Sequence, residues 1–143
     1  MKIRKTKEED LAQIAGLYSL FWGKKSDLKK MKDKFRQLAT NSDYIILCAE
    51  INNRIAGTIT GMVCEDLYGV CKPFLVMENL VVDTDLRKQG VGAALMNELE
   101  RIGKEQGCTQ IMFITETDRR EAIAFYESLG YNAYSHTGFK KSL

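Results

Sequence analysis

The chain has one histidine, one proline and one tryptophan, and its four cysteines (Cys48, Cys64, Cys71 and Cys108) include no Cys-x-x-Cys pair. A zinc centre needs several thiolate or imidazole ligands at close spacing, so no metal is expected. Reduced thiols are the expectation, without a bridge between Cys64 and Cys71. Long apolar runs are also missing. The longest, Tyr44 to Ala49, is far below the ~20 residues that cross a bilayer. Met1-Lys2-Ile3-Arg4 leads into charged residues instead of a signal-peptide core. A cytoplasmic chain with no membrane partner is therefore expected. The net charge of +2 is too small to argue for nucleic acid. Two nucleotide-binding loops are absent as well. There is no Gly-x4-Gly-Lys-Ser/Thr, and Leu95 stands where a dinucleotide fingerprint would need its third glycine.

What is present is an ordinary globular composition, 45% hydrophobic and 28% charged over 143 residues, which predicts a single domain spanning 1–143. Its most informative stretch is 74–106. The bulky, β-branched run from Phe74 to Asp83 suits a buried strand. A polar turn follows, then Arg87-Lys88-Gln89-Gly90-Val91-Gly92, then apolar residues at Val91, Ala94, Leu95, Leu99 and Ile102, the spacing of one helix face. A strand, a glycine turn and a helix deliver unpaired backbone N–H groups to the positive end of a helix dipole, which suits a phosphate or pyrophosphate. A glycine-x-glycine by itself fits a plain tight turn equally well.

The pattern Arg-x-x-Gly-x-Gly after Val81-Val82-Asp83 resembles the acetyl-CoA motif of the GNAT N-acetyltransferase superfamily. Residues 121–131, Glu-Ala-Ile-Ala-Phe-Tyr-Glu-Ser-Leu-Gly-Tyr, resemble that family's second signature, in the family's order. The resemblance implies an acetyl-CoA-dependent acyltransferase of α/β class, with a central mixed sheet and helices on both faces.

The element order agrees. A first strand is predicted over 2–5, then a helix capped by Thr6 with Glu9 and carrying Leu11, Ile14, Leu17, Tyr18 and Phe21 on one face, broken at Gly23. Ser26 can cap a second helix with Leu28, Met31, Phe35 and Leu38 inward. Its outer face carries Lys24, Lys25, Lys29, Lys30, Lys32, Lys34 and Arg36. This is a solvated face, since no aromatic platform interleaves with the charges to suit nucleic acid. A hairpin over 44–50 and 54–63 turns at Asn52-Asn53. Pro73 opens the central strand, where a missing donor is tolerated. After the helix ended by Gly107, the pattern predicts a strand over 110–115 and a helix capped by Asp118 with Glu121 and closed by Gly130. Two final strands would occupy 131–134 and 138–141. The whole reads β-α-α-β-β-β-α-β-α-β-β.

The resemblance assigns roles. Acetyl-CoA would be held by the backbone of Leu80, Val81 and Val82 and by the turn Arg87, Lys88, Gln89, Gly90, Val91, Gly92 and Ala93. The amides from Gln89 onward would do most of the binding, and a strand bulge near Val82 would free an amide for the acetyl oxygen. Tyr126 would be the general acid for the departing thiolate, because a phenol stays protonated at neutral pH. Glu78 would be either a base for the incoming amine or a structural carboxylate. Period two puts it on the strand side of Leu80 and Val82. Arg119 stands where the family usually has asparagine, and would contact a CoA phosphate or be solvated.

The implied reaction is direct attack of a primary amine on acetyl-CoA in a ternary complex. None of the four cysteines lies in the motifs, which disfavours a ping-pong route. The alternative is a non-catalytic acetyl-CoA-binding sensor or regulatory module. The acceptor would be a small molecule or a peptide amine, and a homodimer is compatible with the family. Glu78, Glu65, Asp66, Glu116 and Asp118 favour a small cationic amine if they face the acetyl end. In the competing reading they are loop and capping residues.

Overall fold

The computed structural model describes all residues, 1–143. It falls into two compact units, Met1–Met112 and Phe113–Leu143, and each is described by itself.

The first unit is built on a five-stranded sheet in the order β1-β2-β3-β4-β5. The strands are β1 (Lys2–Lys5), β2 (Tyr44–Ile51), β3 (Arg54–Cys64), β4 (Phe74–Val82) and β5 (Ile111–Met112). The first four are antiparallel neighbours, and β5 joins β4 in parallel. One face carries the helices α1 (Leu11–Trp22) and α2 (Leu28–Ala39). There Leu11, Ile14 and Leu17 pack with Cys48, Ile55 and Val81, flanked by Leu28, Met31 and Phe35 of α2. The predicted inward stripes of both helices are thus confirmed.

The other face takes α3 (Val91–Glu105), whose Val91, Leu95, Met96 and Leu99 are buried. Small residues in β3 let α3 approach closely. A Cβ on Gly57 would lie 2.9 Å from the carbonyl oxygen of Val81 and 3.2 Å from side chains of Val91 and Leu95. The four cysteines are free thiols.

The caps differ from the predictions. The carboxylate that accepts from a backbone N–H before α1 belongs to Asp10, not Glu9, and reaches Lys7 at 2.7 Å. The same carboxylate is gripped at 2.7 and 2.9 Å by Arg4, which also holds Glu50 at 2.6 Å. A guanidinium offers more than Thr6 can, and that decides which acid turns inward. At α2 the cap is Asp27, accepting from Lys30 N–H at 3.1 Å, one residue after the expected Ser26.

The second unit contains α4 (Arg120–Ser128). Its N-cap is Arg119 without a side-chain cap bond, so the expected box of Asp118 with Glu121 does not form. Gly130, at φ +90°, follows the last turn as predicted. Phe113, Tyr126 and Tyr131 form an aromatic cluster with centroid separations of 4.5 and 5.0 Å from Phe113. The two predicted final strands are absent, and residues 131–143 carry no regular secondary structure. Asn132 accepts from the N–H groups of Tyr134 and Ser135 at 2.8 and 3.1 Å. That local turn competes with a strand ladder for the backbone, and it leaves Tyr134 87% exposed. The predicted strand 110–115 is likewise reduced to Ile111–Met112.

Candidate active site

β4 and β5 pair only at Leu75 with Ile111 and Val76 with Met112. From Met77 onward β4 has no parallel neighbour, so the sheet opens along the half of the strand that leads into the glycine turn.

In that half β4 is bulged. Thr60 faces Glu78 and Thr58 faces Val81, so three steps on β4 span two on β3. Asn79 takes up the extra residue at φ +56°. Asparagine tolerates this left-handed conformation better than most residues. A bulge of this kind leaves the extra residue outside the ladder.

It also reverses the parity of the strand, which corrects one expectation. Glu78 does not share a side with Val82. Glu78 pairs with Thr60 and Val81 with Thr58, on the α1 face, whereas Val82 pairs with Gly57, whose missing Cβ points at α3. Glu78 is exposed, so its carboxylate carries little desolvation cost. Val81 is 2% exposed and belongs to the core, so only its backbone is available to a ligand. Leu80 and Val82 are half-buried.

Asp83, which the sequence did not single out, locks the end of β4. It is 3% exposed, accepts from Asp85 N–H at 3.1 Å and pairs with Arg54. Its own N–H donates to Ala56 at 2.9 Å. After one turn of 3-10 helix (Thr84–Leu86) the chain runs through Arg87, Lys88 and Gln89, all exposed. Lys88 and Gly90 sit at φ +60° and +80°.

The first helical bond of α3 is Ala94 N–H to Gly90 O, 2.9 Å. The amides of Val91, Gly92 and Ala93 therefore precede the ladder, and no side chain caps them. Nothing lies within 4 Å of where a Cβ of Gly90 would be. Val91 is buried by its side chain, and Gly92 and Ala93 are half-buried. These uncapped N–H groups at the start of a fifteen-residue helix suit a phosphate or another anion. A narrow cleft beside the turn is lined by Leu17, Leu20, Phe21, Val82, Thr84 and Arg87. A larger polar groove is lined by Lys2, Arg4, Asp10 and Glu50, where Arg4 satisfies both acids; it contains no motif residue.

In the second unit, Tyr126 and Arg119 are brought together. Burial pushes the Tyr126 phenol up from its ordinary value, and the positive charge of Arg119 partly counters this. Arg119 Nη1 reaches Thr115 Oγ1 at 3.5 Å. Glu116 is paired with Lys140 at 3.3 Å, and Asp66 accepts from Tyr68 N–H at 3.0 Å, so two of the predicted acids already have local partners.

Sequence reasoning also missed Tyr18 of α1. Burial pushes its phenol up too, and the nearby Thr58 and Thr60 hydroxyls partly counter this. The ring lies 5.1 Å from that of Trp22. The only available signal was a tyrosine on the apolar face of α1, where a core role is the ordinary assignment.

An open sheet, a bulge and an uncapped glycine turn are what the sequence resemblance implied, and the comparisons agree with it. The model of the acetyltransferase (GNAT) family matches residues 11–131. The chain belongs to that family. It is 28% identical over 148 residues to the uncharacterised N-acetyltransferase YhfO of Bacillus subtilis, covering 97% of this chain and 93% of that one. A solved structure from Agrobacterium tumefaciens str. C58, provisionally described as an acetyltransferase, superposes with a TM-score of 0.92 at 21% identity over the whole of both chains. A transcriptional regulator from Bacillus halodurans C-125 reaches 0.89 at 25% identity over 99% of each chain. The chain is thus an acetyltransferase of mixed α/β fold. No helix is long and apolar enough to cross a membrane.

Proposed function

We propose that the chain transfers an acetyl group from acetyl-CoA to a primary amine by direct attack in a ternary complex. The observation that supports this best is the run of uncapped N–H groups from Val91 to Ala93 behind Gly90, at the open end of β4. Acetyl-CoA supplies an activated thioester carbonyl. The turn amides bind its pyrophosphate, with Arg87 and Lys88 adding positive charge. The backbone just past the bulge, Leu80 to Val82, offers a fixed N–H to the developing negative charge on the acetyl oxygen, commonly worth a few kcal/mol.

The amine nitrogen bonds to the carbonyl carbon as the carbon–sulfur bond breaks. The amine proton leaves to Glu78 or to water, and Tyr126 gives its phenolic proton to the departing sulfur. Arg119 contributes near a CoA phosphate or by steadying the charge at Tyr126. The acceptor is a small cationic amine, supported by the exposed carboxylate of Glu78 in the bulged strand. A regulatory acetyl-CoA-binding module is a second reading, supported by the likeness to the B. halodurans regulator.

Acetyl-CoA is expected to raise the melting temperature by mass action, and Gly90→Asp to abolish the rise while the variant stays folded. A full shift in the folded variant would remove the turn from the site. Spermidine should be preferred to neutral amines of similar size, with a kcat/KM that falls with added salt as steering is screened. A preference for neutral amines would remove the cationic acceptor and keep the transferase.

A further inference from the structure

Two carboxylates of the chain are buried, Asp10 and Asp83, and Asp83 stands directly before the glycine turn. It joins two parts of the first unit. Its N–H donates to Ala56 O at 2.9 Å and its Oδ2 accepts from Arg54 Nη2, which ties it to the start of β3. Its carbonyl oxygen accepts from Leu86 N–H at 3.0 Å and its Oδ1 accepts from Asp85 N–H at 3.1 Å, which ties it to the 3-10 turn.

The far end of the loop is held by Val91. Its side chain is buried, and its Cγ1 lies 3.2 Å from where a Cβ of Gly57 would be. Both anchors therefore meet β3 at neighbouring residues, Ala56 and Gly57, and the loop from Thr84 to Gly90 lies between them. These two anchors set where the uncapped amides of Val91 to Ala93 stand relative to the bulged strand.

The Asp83 joint also has an electrostatic consequence. A carboxylate suits the joint because it accepts from a backbone N–H and a guanidinium at once. The same carboxylate puts a negative charge beside a turn suited to an anion. Asp85 is exposed, so water and salt screen its charge. Asp83 is buried and is screened much less. Arg54 is the basic partner of Asp83, and it reaches in from the surface with a side chain that is itself 60% exposed.

We infer that Arg54 is a positioning residue for the acetyl-CoA site. It neutralises the buried carboxylate of Asp83, so that the joint fixes the glycine turn without repelling the anion the turn receives. This rests on the transferase reading of that turn. Arg54 need not touch the ligand. A unit charge about 10 Å from a phosphate shifts affinity by about tenfold at the effective dielectric of a protein surface. The loss on removing Arg54 should therefore be reversed by removing the charge of Asp83 as well. If the pair only braced the backbone, a second substitution would hold the turn no better.

The test is calorimetric titration of acetyl-CoA into the wild type, Arg54→Lys, Arg54→Gln, Asp83→Asn and the Arg54→Gln/Asp83→Asn double variant, at low and high salt. Asparagine keeps an oxygen for Asp85 N–H and drops the charge. Arg54→Gln should bind about tenfold more weakly at low salt, and the gap to the wild type should narrow with added salt as the repulsion is screened. Arg54→Lys should stay close to the wild type. The double variant should recover most of the lost affinity, and Asp83→Asn should bind at least as tightly as the wild type. A folded Arg54→Gln with wild-type affinity, a loss that salt does not change, or a double variant as weak as Arg54→Gln would overturn the inference. Removing one partner of a buried pair is strongly destabilising. If Arg54→Gln does not fold, Asp83→Asn and the double variant decide, since neither buries a charge. Wild-type or tighter binding in both supports the inference, and a marked loss in either overturns it. Any such failure beside a wild type that binds acetyl-CoA confines the error to Arg54. A wild type that binds no acetyl-CoA would overturn the transferase reading of the turn, and the inference with it.

Discussion

The burden on single residues is uneven. Tyr126 carries the proposed proton transfer, and its surroundings suit that role. Burial against Phe113 and Tyr131 raises its pKa, so the acid form persists beyond the usual phenol range near ~10. Tyr126→Phe keeps the ring and removes the proton. It is expected to leave acetyl-CoA binding unchanged and lower kcat by ~10²–10⁴-fold. In the wild type, the alkaline fall in kcat that comes from losing this proton should lie above pH ~10, and it should be missing from the variant. Steady-state kinetics across pH decides, and wild-type turnover in the variant would return Tyr126 to a packing role. Tyr126 was legible because a motif surrounds it. Tyr18 was not, because a tyrosine on an apolar helix face looks the same in sequence whatever its hydroxyl meets. Asp83 was seen only as the end of a strand. Its lock on Arg54 and Asp85 depends on a hairpin brought alongside by the sheet.

Among elements, the strand–turn–helix unit of β4 and α3 was read correctly from its periodicity and glycines, and so were the β2–β3 hairpin and the inward faces of α1 and α2. The Glu78 side was misread, because one inserted residue at Asn79 reverses a period of two and no glycine or proline marks it. The last strands were misread because short alternating segments do not reveal whether a ladder partner exists, and Asn132 captures the local backbone first. The turn of α3 yields a prediction with opposite signs. Gly92→Glu adds a carboxylate to the first turn and replaces a glycine inside a helix, so the free protein should be stabilised by about 1 kcal/mol. The same charge should repel a pyrophosphate and weaken acetyl-CoA by tenfold or more. Thermal melts with and without acetyl-CoA read both effects. A variant that binds acetyl-CoA normally would place the pyrophosphate elsewhere.

At the scale of the whole molecule, β1 is tied to the start of α1 by Arg4 with Asp10 and Glu50. The Arg4 guanidinium holds the Asp10 carboxyl below the ordinary carboxylate range, helped by Lys7 N–H and opposed by burial. A carboxyl with a lowered folded pKa contributes stability that is present above its unfolded value of ~3.9 and is lost as pH falls through the folded value. Asp10→Asn should cost about 2 kcal/mol at neutral pH, with a flatter loss of stability below pH ~4. Urea midpoints measured from neutral to acid pH check both, and parallel curves for the two proteins would show that the pair is not thermodynamically coupled to folding.

The central claim is that this family member uses its open, bulged strand and glycine turn for acetyl transfer to an amine. The measurement that addresses it most directly is release of free CoA thiol from acetyl-CoA by the purified protein, with and without a panel of primary amines, read together with the mass of the amine product. The account predicts amine-dependent thiol release matched by the gain of one acetyl group on the amine, with little release when no amine is present. Tight acetyl-CoA binding with no thiol release across cationic, neutral and peptide amines would contradict it and favour the regulatory module.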